Sequence, residues 1–191
     1  MEERARRIVE TAVELAEDGG FEAVRLRDVA DRAGVALGTL YRRFRSKEDL
    51  LAAALERESE ELERRILARP PRGDTAAERV TGFFAAGTRG LCRRPNLTRA
   101  VLRAMTSGDP EIAEKVSRFH DRMARLITAA IRGERDASEL PPSEDERALA
   151  LVLEHVWFSC LVGWSGGLHT QTGIIDQMKA TAGLLLKNGE G

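Results

Sequence analysis

The chain has 191 residues, of which 42% are apolar and 32% charged, and its net charge is −1. This composition fits one or two small globular domains and excludes a polycation, so nucleic-acid binding would need a local basic patch. Cys92 and Cys160 lie in apolar helical patterns without metal-type spacing. We interpret them as buried thiols in a reducing compartment.

Nothing in the sequence predicts a membrane protein. The N-terminus is charged and already helical in pattern, which is unlike a secretory signal. The most apolar run, 148–164, is interrupted by Glu154 and His155 and is predicted to be a buried helix. We therefore expect a soluble, cytoplasmic protein with no membrane partner.

The N-terminal third is predicted to form short helices separated by glycines. Periodic apolar residues place the first three helices at about 3–18, 26–33 and 36–44. Gly19 and Gly20 stop the first helix, and Gly34 suits the left-handed conformation that ends the second. A fourth helix opens at Ser46, a predicted N-cap with Asp49 three residues on, and runs to about residue 67.

The third helix separates into an inner and an outer face. With Leu40 at zero and about 100° per residue, Phe44 and Leu37 fall on its side and face the core. Gly38 and Arg42 lie opposite, flanked by Thr39 and Tyr41. Glycine would allow close approach of a phosphate, the hydroxyls can bond phosphate oxygens, and the arginines can reach phosphates or base edges. The predicted DNA-binding residues are Arg27, Leu37, Gly38, Thr39, Tyr41, Arg42, Arg43 and Lys47.

Local charge supports the same function. From Arg32 to Lys47 there are five cations and no carboxylate. Lys47 lies in the first turn of a helix, where a cation is unfavourable unless an anion docks there. A helix, a tight turn and a short basic helix is the pattern of a helix-turn-helix, whose second helix enters the DNA major groove. The competing interpretation is a solvated basic face beside a small helical core.

This stretch resembles the TetR-type transcriptional regulators over about residues 5–60. The residues that carry the resemblance are Gly20-Phe21, Val29-Ala30, Ala33-Gly34-Val35, Gly38-Thr39-Leu40-Tyr41, Phe44 and Ser46-Lys47. Two positions depart from the family pattern, since Arg25 and Ala36 stand where small hydroxyl residues usually cap the second and third helices. Each loss should cost about 1 kcal/mol of helix stability. Arg25 is either a solvated arginine or an additional phosphate contact.

The remaining chain is also predicted to be helical, which makes the fold class all-α. Two prolines and a glycine in 68–75 end the fourth helix. We therefore expect a DNA-binding domain over 1–47, a connecting helix over 46–67 and an effector-binding and dimerisation domain over 68–191. Loop 133–142 is polar and predicted to be mobile. The predicted helices are 75–93, 96–106, 110–132, 143–165 and 173–187.

No catalytic constellation is recognisable in this second part. His120, His155 and His169 share no ligand spacing with each other or with the cysteines. There is no phosphate-binding glycine loop, nucleophile elbow or paired carboxylate motif. We expect neither an enzyme nor a bound metal or cofactor.

The last two helices have more apolar surface than one small domain can cover, which favours a homodimer through a four-helix bundle. A two-fold dimer also reads two half-sites about 34 Å apart, or a multiple of that spacing. The family resemblance implies the same interface and palindromic operators. The predicted interface residues are Val152, Val156, Leu161, Ile174, Ile175, Met178 and Leu185.

Aromatic and methionine side chains from four predicted helices suggest a pocket for a large apolar ligand, although an ordinary core needs the same residues. The family resemblance implies an effector that shifts the spacing of the two DNA-reading helices. The candidate pocket residues are Phe83, Phe84, Leu91, Leu97, Val101, Met105, Phe119, Met123, Ile127, Trp157 and Phe158.

A narrower resemblance is to the actinobacterial repressors of steroid catabolism. It rests on Arg94-Pro95-Asn96-Leu97-Thr98 and on Val156-Trp157 with Ser159, Leu161 and Trp164. It implies that the effector is a bulky steroid-derived acid or its coenzyme A thioester. Glu154 and His155 are polar residues in an apolar helix and need partners, either across the dimer or at the polar end of a ligand.

These observations predict a homodimeric repressor that binds a double-stranded palindromic operator and is released by a small apolar effector. The alternative is a structural DNA-binding protein that responds to no ligand.

Overall fold

The computed structural model of the protein describes residues 3–134 and 141–186. The helices of this part of the chain are α1 (Glu3–Ala23), α2 (Leu26–Ala33), α3 (Leu37–Tyr41), α4 (Lys47–Ala68), α5 (Ala76–Cys92), α6 (Pro95–Met105), α7 (Ala113–Arg132), α8 (Glu144–Ser165) and α9 (Gln171–Leu185). A 3₁₀ turn, Pro110–Ile112, precedes α7. The described residues contain no strand. The all-α prediction is confirmed.

The helix bounds follow local chemistry. In α1, Gly19 and Gly20 have non-helical backbone dihedrals, and Gly20 has a φ of 69°. The regular helix therefore breaks at these two glycines, as predicted. Helix α3 is shorter than predicted, mainly because it ends at Tyr41, and Ala36 provides no side-chain cap at its start. The N–H groups of Arg43 and Phe44 both bond the Leu40 carbonyl, so the chain continues as a tighter turn.

Helices α5 and α8 begin with reciprocal capping boxes. Thr75 and Glu78 exchange hydrogen bonds with each other's backbone, as do Ser143 and Glu146. Arg132 also forms a bidentate ion pair with Glu146, in which both N···O distances are 2.7 Å. The pKa of Glu146 falls to about 2, chiefly because of Arg132 and then because of the Ser143 N–H.

The chain divides into two compact units. The first contains the residues up to Glu58 together with Arg94–Phe119, and the second contains Ser59–Arg93 and the residues from His120 onward. This division differs from the domain boundary expected at residue 68, because Arg94–Phe119 groups with the N-terminal helices. Residues 135–140 of the loop predicted to be mobile lie outside the described residues.

The core of the first unit is built from α1 to α4 and from α6, with α1 packed against α6 and α2. Its buried residues include Ile8, Leu40 and Leu50, each with no exposed area. Arg94 joins the same unit by ion pairs with Glu17 and with Glu58. Helix α6 is therefore part of the compact unit that contains the helix-turn-helix.

In the second unit, α9 packs against α5 and α8. The Trp157 ring lies 5.3 Å from the Phe84 ring, and its indole N–H donates to the Thr88 hydroxyl at 2.9 Å. A Cβ at Gly87 would lie 3.0 Å from the Trp157 ring, a tight contact, so glycine leaves room for the ring at this position. Cys160 is buried as predicted, whereas Cys92 is half-buried; burial raises the pKa of both thiols.

Helix α8 has the length and apolar composition of a membrane span, but one third of that window is buried inside the protein. It starts with the acidic turn of its capping box and contains the buried carboxylate of Glu154. Core helices of soluble proteins have the same composition. Leu151, Val152 and Val162 are 39 to 48% exposed, so the single chain leaves part of the apolar surface of α8 uncovered.

Candidate DNA interface

The turn between α2 and α3 is fixed by backbone geometry. Gly34 is left-handed, with φ and ψ of 63° and 41°, and its N–H bonds to Ala30 and Asp31 carbonyls. The Val35 N–H returns to the Ala30 carbonyl at 3.0 Å. Arg25 and Ala36 provide no side-chain cap at the starts of α2 and α3, as the sequence predicted. The angle of α3 therefore depends on the glycine turn and on the core.

Two buried side chains hold α3 against the first unit. Leu40 has no exposed area and Phe44 is 5% exposed, as predicted for its inner face. Leu37 is half-buried and packs on the same core. Leu37 thus helps to pack α3 on the core, and its contact with a base stays a prediction.

The opposite face of α3 is open. Tyr41 is 51% exposed, and a Cβ added at Gly38 would meet nothing within 4 Å. Arg42 is exposed and donates to the Thr39 hydroxyl at 3.1 Å, which orders that side chain on the surface. This face presents a bare backbone, hydroxyl groups and a guanidinium, and this combination can bind phosphates and base edges. Arg27 and Arg43 are also exposed.

The start of α4 is held by a small polar network. The Asp49 N–H donates to Ser46 Oγ at 3.0 Å, which confirms the predicted cap. Asp49 Oδ2 in turn accepts the Arg45 N–H at 2.9 Å, and this buried carboxylate is paired with Lys115. Ser46 also donates to Asp109 at 3.1 Å. Residues near and within α7 thereby fix the turn that follows α3.

Lys47 has a partner that the sequence did not predict. Its Nζ lies 3.3 Å from Glu22 Oε2 and 3.9 Å from the centre of the Phe21 ring. Arg103 of α6 contacts the same two residues. Sequence analysis missed Glu22 and Arg103, because nothing in local periodicity brings α6 beside the end of α1.

The candidate effector-pocket residues are divided between the two units. Four of the eleven residues belong to the first unit, where Leu97 and Val101 are buried in the core and Met105 and Phe119 are half-buried against it. The other seven belong to the second unit, and none of the eleven lines its shallow groove of about 30 Å³. The first four thus belong to the core of the first unit, and an effector contact of any of the eleven residues stays a prediction. The residues in the second unit are Phe83, Phe84, Leu91, Met123, Ile127, Trp157 and Phe158.

The predicted dimer interface is partly wrong. Leu161, Ile174 and Met178 are at most 3% exposed within one chain, so they pack inside the second unit. Val152 and Leu185 are 48% and 41% exposed and remain available. Val156 and Ile175 are half-buried. The sequence analysis did not include the exposed apolar residues Leu151, Val162, Leu168 and Leu184.

The polar residues of α8 have different environments. Glu154 is 3% exposed, and its Oε1 lies 2.8 Å from His120 Nδ1 within the second unit. This pairing raises the pKa of His120. His155 is exposed, and its ring stands edge-on to His120 with centres 6.1 Å apart. Glu154 thus has a partner within its own chain, whereas the expected partners were across the dimer or on a ligand.

Among the described residues, no group of three or more histidine, cysteine or carboxylate side chains could hold a metal ion. The exposed α3 face and the residues around it are the site with the clearest chemistry.

Comparison with known proteins agrees with this geometry. The family model for bacterial regulatory proteins of the tetR family matches residues 8–54, and the model for a tetracyclin repressor-like C-terminal domain matches residues 73–185. The HTH-type transcriptional repressor KstR of Rhodococcus jostii is 38% identical over 98% of this chain and 84% of its own length. KstR of Mycolicibacterium smegmatis is 34% identical over 98% of this chain and 89% of its own.

Solved structures share the complete fold. A TetR transcriptional regulator from Rhodococcus sp. RHA1 has a TM-score of 0.86 and 26% identity, with both chains covered completely. FadR from Bacillus subtilis, solved in complex with stearoyl-CoA, has a TM-score of 0.68 at 18% identity, covering 95% of this chain and 97% of its own. The KstR relatives confirm the resemblance to steroid-catabolism repressors. The chain belongs to the TetR family of transcriptional repressors and is no enzyme.

Proposed function

We propose that this repressor acts as a homodimer on a palindromic operator and is released by a bulky apolar effector. The observation that carries the proposal is the exposed face of α3, held in place by Leu40 and Phe44, in a chain whose relatives of similar length are repressors. Such a protein acts on DNA in the cytoplasm.

A dimer would contact more base pairs than one short recognition helix can. Helix α3 has five residues and can contact only a few base pairs. A two-fold dimer would place two such helices on half-sites about 34 Å apart, or a multiple of that distance. The exposed apolar residues of α8 and α9, among them Val152 and Leu185, support an interface formed by these two helices.

We assign the effector to the second unit. Phe84 and Trp157 form an apolar aromatic cluster there, and the Thr128 hydroxyl is buried without a hydrogen-bond partner among the described residues. That hydroxyl offers one polar contact to a ligand that is otherwise apolar. The cluster is closely packed, so a bulky ligand would have to bind a second conformation in which these side chains separate.

The KstR relatives and the residues around Arg94 and Trp157 favour a steroid-derived acid or its coenzyme A thioester as this effector. FadR, which was solved with stearoyl-CoA, is an example of the same fold with a bulky thioester.

The release mechanism is thermodynamic linkage. An effector that binds the non-DNA conformation more tightly lowers operator affinity by the ratio of its two affinities, and DNA lowers effector affinity by the same factor. Helix α4 would transmit the conformational change from the effector to α3, because it runs from the turn after α3 into the second unit.

The test is a titration of fluorescent operator DNA, selected from a random duplex library, with and without effector. Steroid acids, their coenzyme A thioesters and free coenzyme A would be added separately. We expect the steroid compounds alone to weaken operator binding. Unchanged DNA affinity with every compound would remove the sensor function and favour the alternative of a ligand-independent structural DNA-binding protein. Failure to bind any duplex would contradict the DNA-binding function itself.

A further inference from the structure

Two cations from different helices meet at the Phe21 ring in the first unit. Lys47 Nζ, at the start of α4, lies 3.9 Å from the ring centre. The guanidinium carbon of Arg103, near the end of α6, lies 4.2 Å from it. Cations are attracted to the electron-rich face of an aromatic ring at these distances. Phe21 itself packs on the core of the unit, so it gives both cations a fixed support.

The same two cations hold one carboxylate. Glu22 Oε2 accepts a hydrogen bond from Lys47 at 3.3 Å, and Glu22 Oε1 lies 2.8 Å from Arg103 Nη1. Lys47 and then Arg103 lower the pKa of Glu22. Two positive charges face one negative charge, so the cluster of Phe21, Glu22, Lys47 and Arg103 keeps a net charge of +1. The positions of the two carboxylate oxygens show where the oxygens of another anion could bind.

Glu22 is held weakly enough to be exchanged. Its side chain is 69% exposed and that of Arg103 is 60% exposed, and ion pairs in such surroundings contribute little to stability. A phosphate diester presents two anionic oxygens with geometry that a guanidinium matches better than a lone ammonium does. The cluster also lies in the unit that contains α3, and Lys47 is six residues beyond Tyr41 in the chain.

We propose that Arg103 joins Lys47 in binding a phosphate of the DNA backbone, and that Glu22 occupies this position until the phosphate displaces it. The proposal rests on the DNA-binding function proposed above. It extends the DNA-contacting surface beyond the helix-turn-helix to α6. Glu22 then acts as an internal competitor, since each binding event must break its two ion pairs.

The size of the effect follows from counterion release. One phosphate contact contributes about 0.9 to the slope of the logarithm of affinity against the logarithm of salt concentration. Over one decade of salt this slope corresponds to about an eightfold change in affinity. Loss of the Arg103 contact should therefore weaken binding about eightfold near 0.1 M salt and have little effect near 1 M.

The experiment compares Arg103→Gln, Glu22→Gln and wild type, with Arg64→Gln as the matched control. Arg64 is also an exposed arginine in an ion pair, with Glu61, but it lies in the second unit. Its replacement changes net charge by the same amount as Arg103→Gln. Binding would be measured by fluorescence anisotropy at several salt concentrations, on the selected operator and on a duplex of unrelated sequence. Thermal unfolding would check that each variant is folded.

We expect Arg103→Gln to weaken binding to both duplexes and to reduce the salt slope by about 0.9. Arg64→Gln should bind like wild type, and Glu22→Gln should bind more tightly. Equal affinities and slopes for Arg103→Gln and Arg64→Gln would overturn the phosphate contact. An affinity of Glu22→Gln at or below that of wild type would overturn the displacement of Glu22. Wild-type binding to DNA in either case would leave the proposed function intact.

Discussion

The ion pair between the buried Glu154 carboxylate and the partly exposed His120 ring should make the stability of the second unit depend on pH. The Glu154 carboxylate is 3% exposed and lies 2.8 Å from His120 Nδ1. Glu154→Gln keeps the shape of the side chain but removes its charge. The variant should be less stable near pH 6 by about 1.5–3 kcal/mol, the usual range for a hydrogen bond to a charged group. Partial exposure of His120 places the expectation at the lower end.

The direction of the pH effect follows from the raised pKa of His120, which is caused first by its hydrogen bond to Glu154. A raised folded-state pKa stabilises the protein fully below the ordinary histidine value of 6.5, and this contribution is lost as pH rises through the folded value. Wild type should therefore lose stability relative to Glu154→Gln as the pH rises above about 6.5 and through the raised folded-state pKa of His120.

The assay is urea unfolding followed by tryptophan fluorescence at pH 6, 7.5 and 9. His120→Gln serves as the matched control, because it removes the titrating partner and leaves Glu154 in place. Both single variants and the double variant should show a flatter pH profile than wild type. An unchanged profile in Glu154→Gln would refute the assignment of the raised His120 pKa to this carboxylate.

Four further outcomes are expected. Tyr41→Phe, which removes one exposed hydroxyl, should weaken binding to all duplexes by a similar factor without altering the melting temperature; a loss limited to one base position would contradict a phosphate contact. Val152→Glu places a charge on an exposed apolar side chain and should shift the protein toward monomer in sedimentation velocity. Ile174 is fully buried, so Ile174→Ala should instead lower the free energy of unfolding by about 2–5 kcal/mol. A dimer unaffected by Val152→Glu would contradict the assigned interface. Because the pKa of Glu146 is about 2, wild type should be more stable than Glu146→Gln above pH 4.5. This difference in stability should disappear as the pH falls toward 2. A difference that persists at pH 2 would show that packing, not charge, is its cause.

Sequence periodicity predicted the helices well, because most of them end at strong local signals. Gly34 and Ser46 each determine a helix end through backbone or capping geometry that neighbouring residues specify. The inner and outer faces around α3 were also predictable, since Leu40 and Phe44 lie four residues apart in a short segment whose other residues are mostly polar or small.

The faces of α8 could not be predicted in the same way. Leu161 is 3% exposed and its neighbour Val162 is 41% exposed, although both are aliphatic. A helix with apolar residues on all sides does not indicate which of them face its own chain. The pairing of Arg103 with Glu22 was unpredictable for a related reason, since it depends on how α6 packs against α1.

The position of α6 has a practical consequence for protein engineering. Exchange of DNA specificity between repressors is simplest when the specificity module can be cut from the chain as one segment. Here, a chimera joined after residue 67 would separate Leu97 and Val101 from the core in which they are buried, and Arg94 from Glu17. A transplant that preserves these contacts must carry two segments, the residues up to Glu58 and Arg94–Phe119, or else redesign the surface that α6 covers.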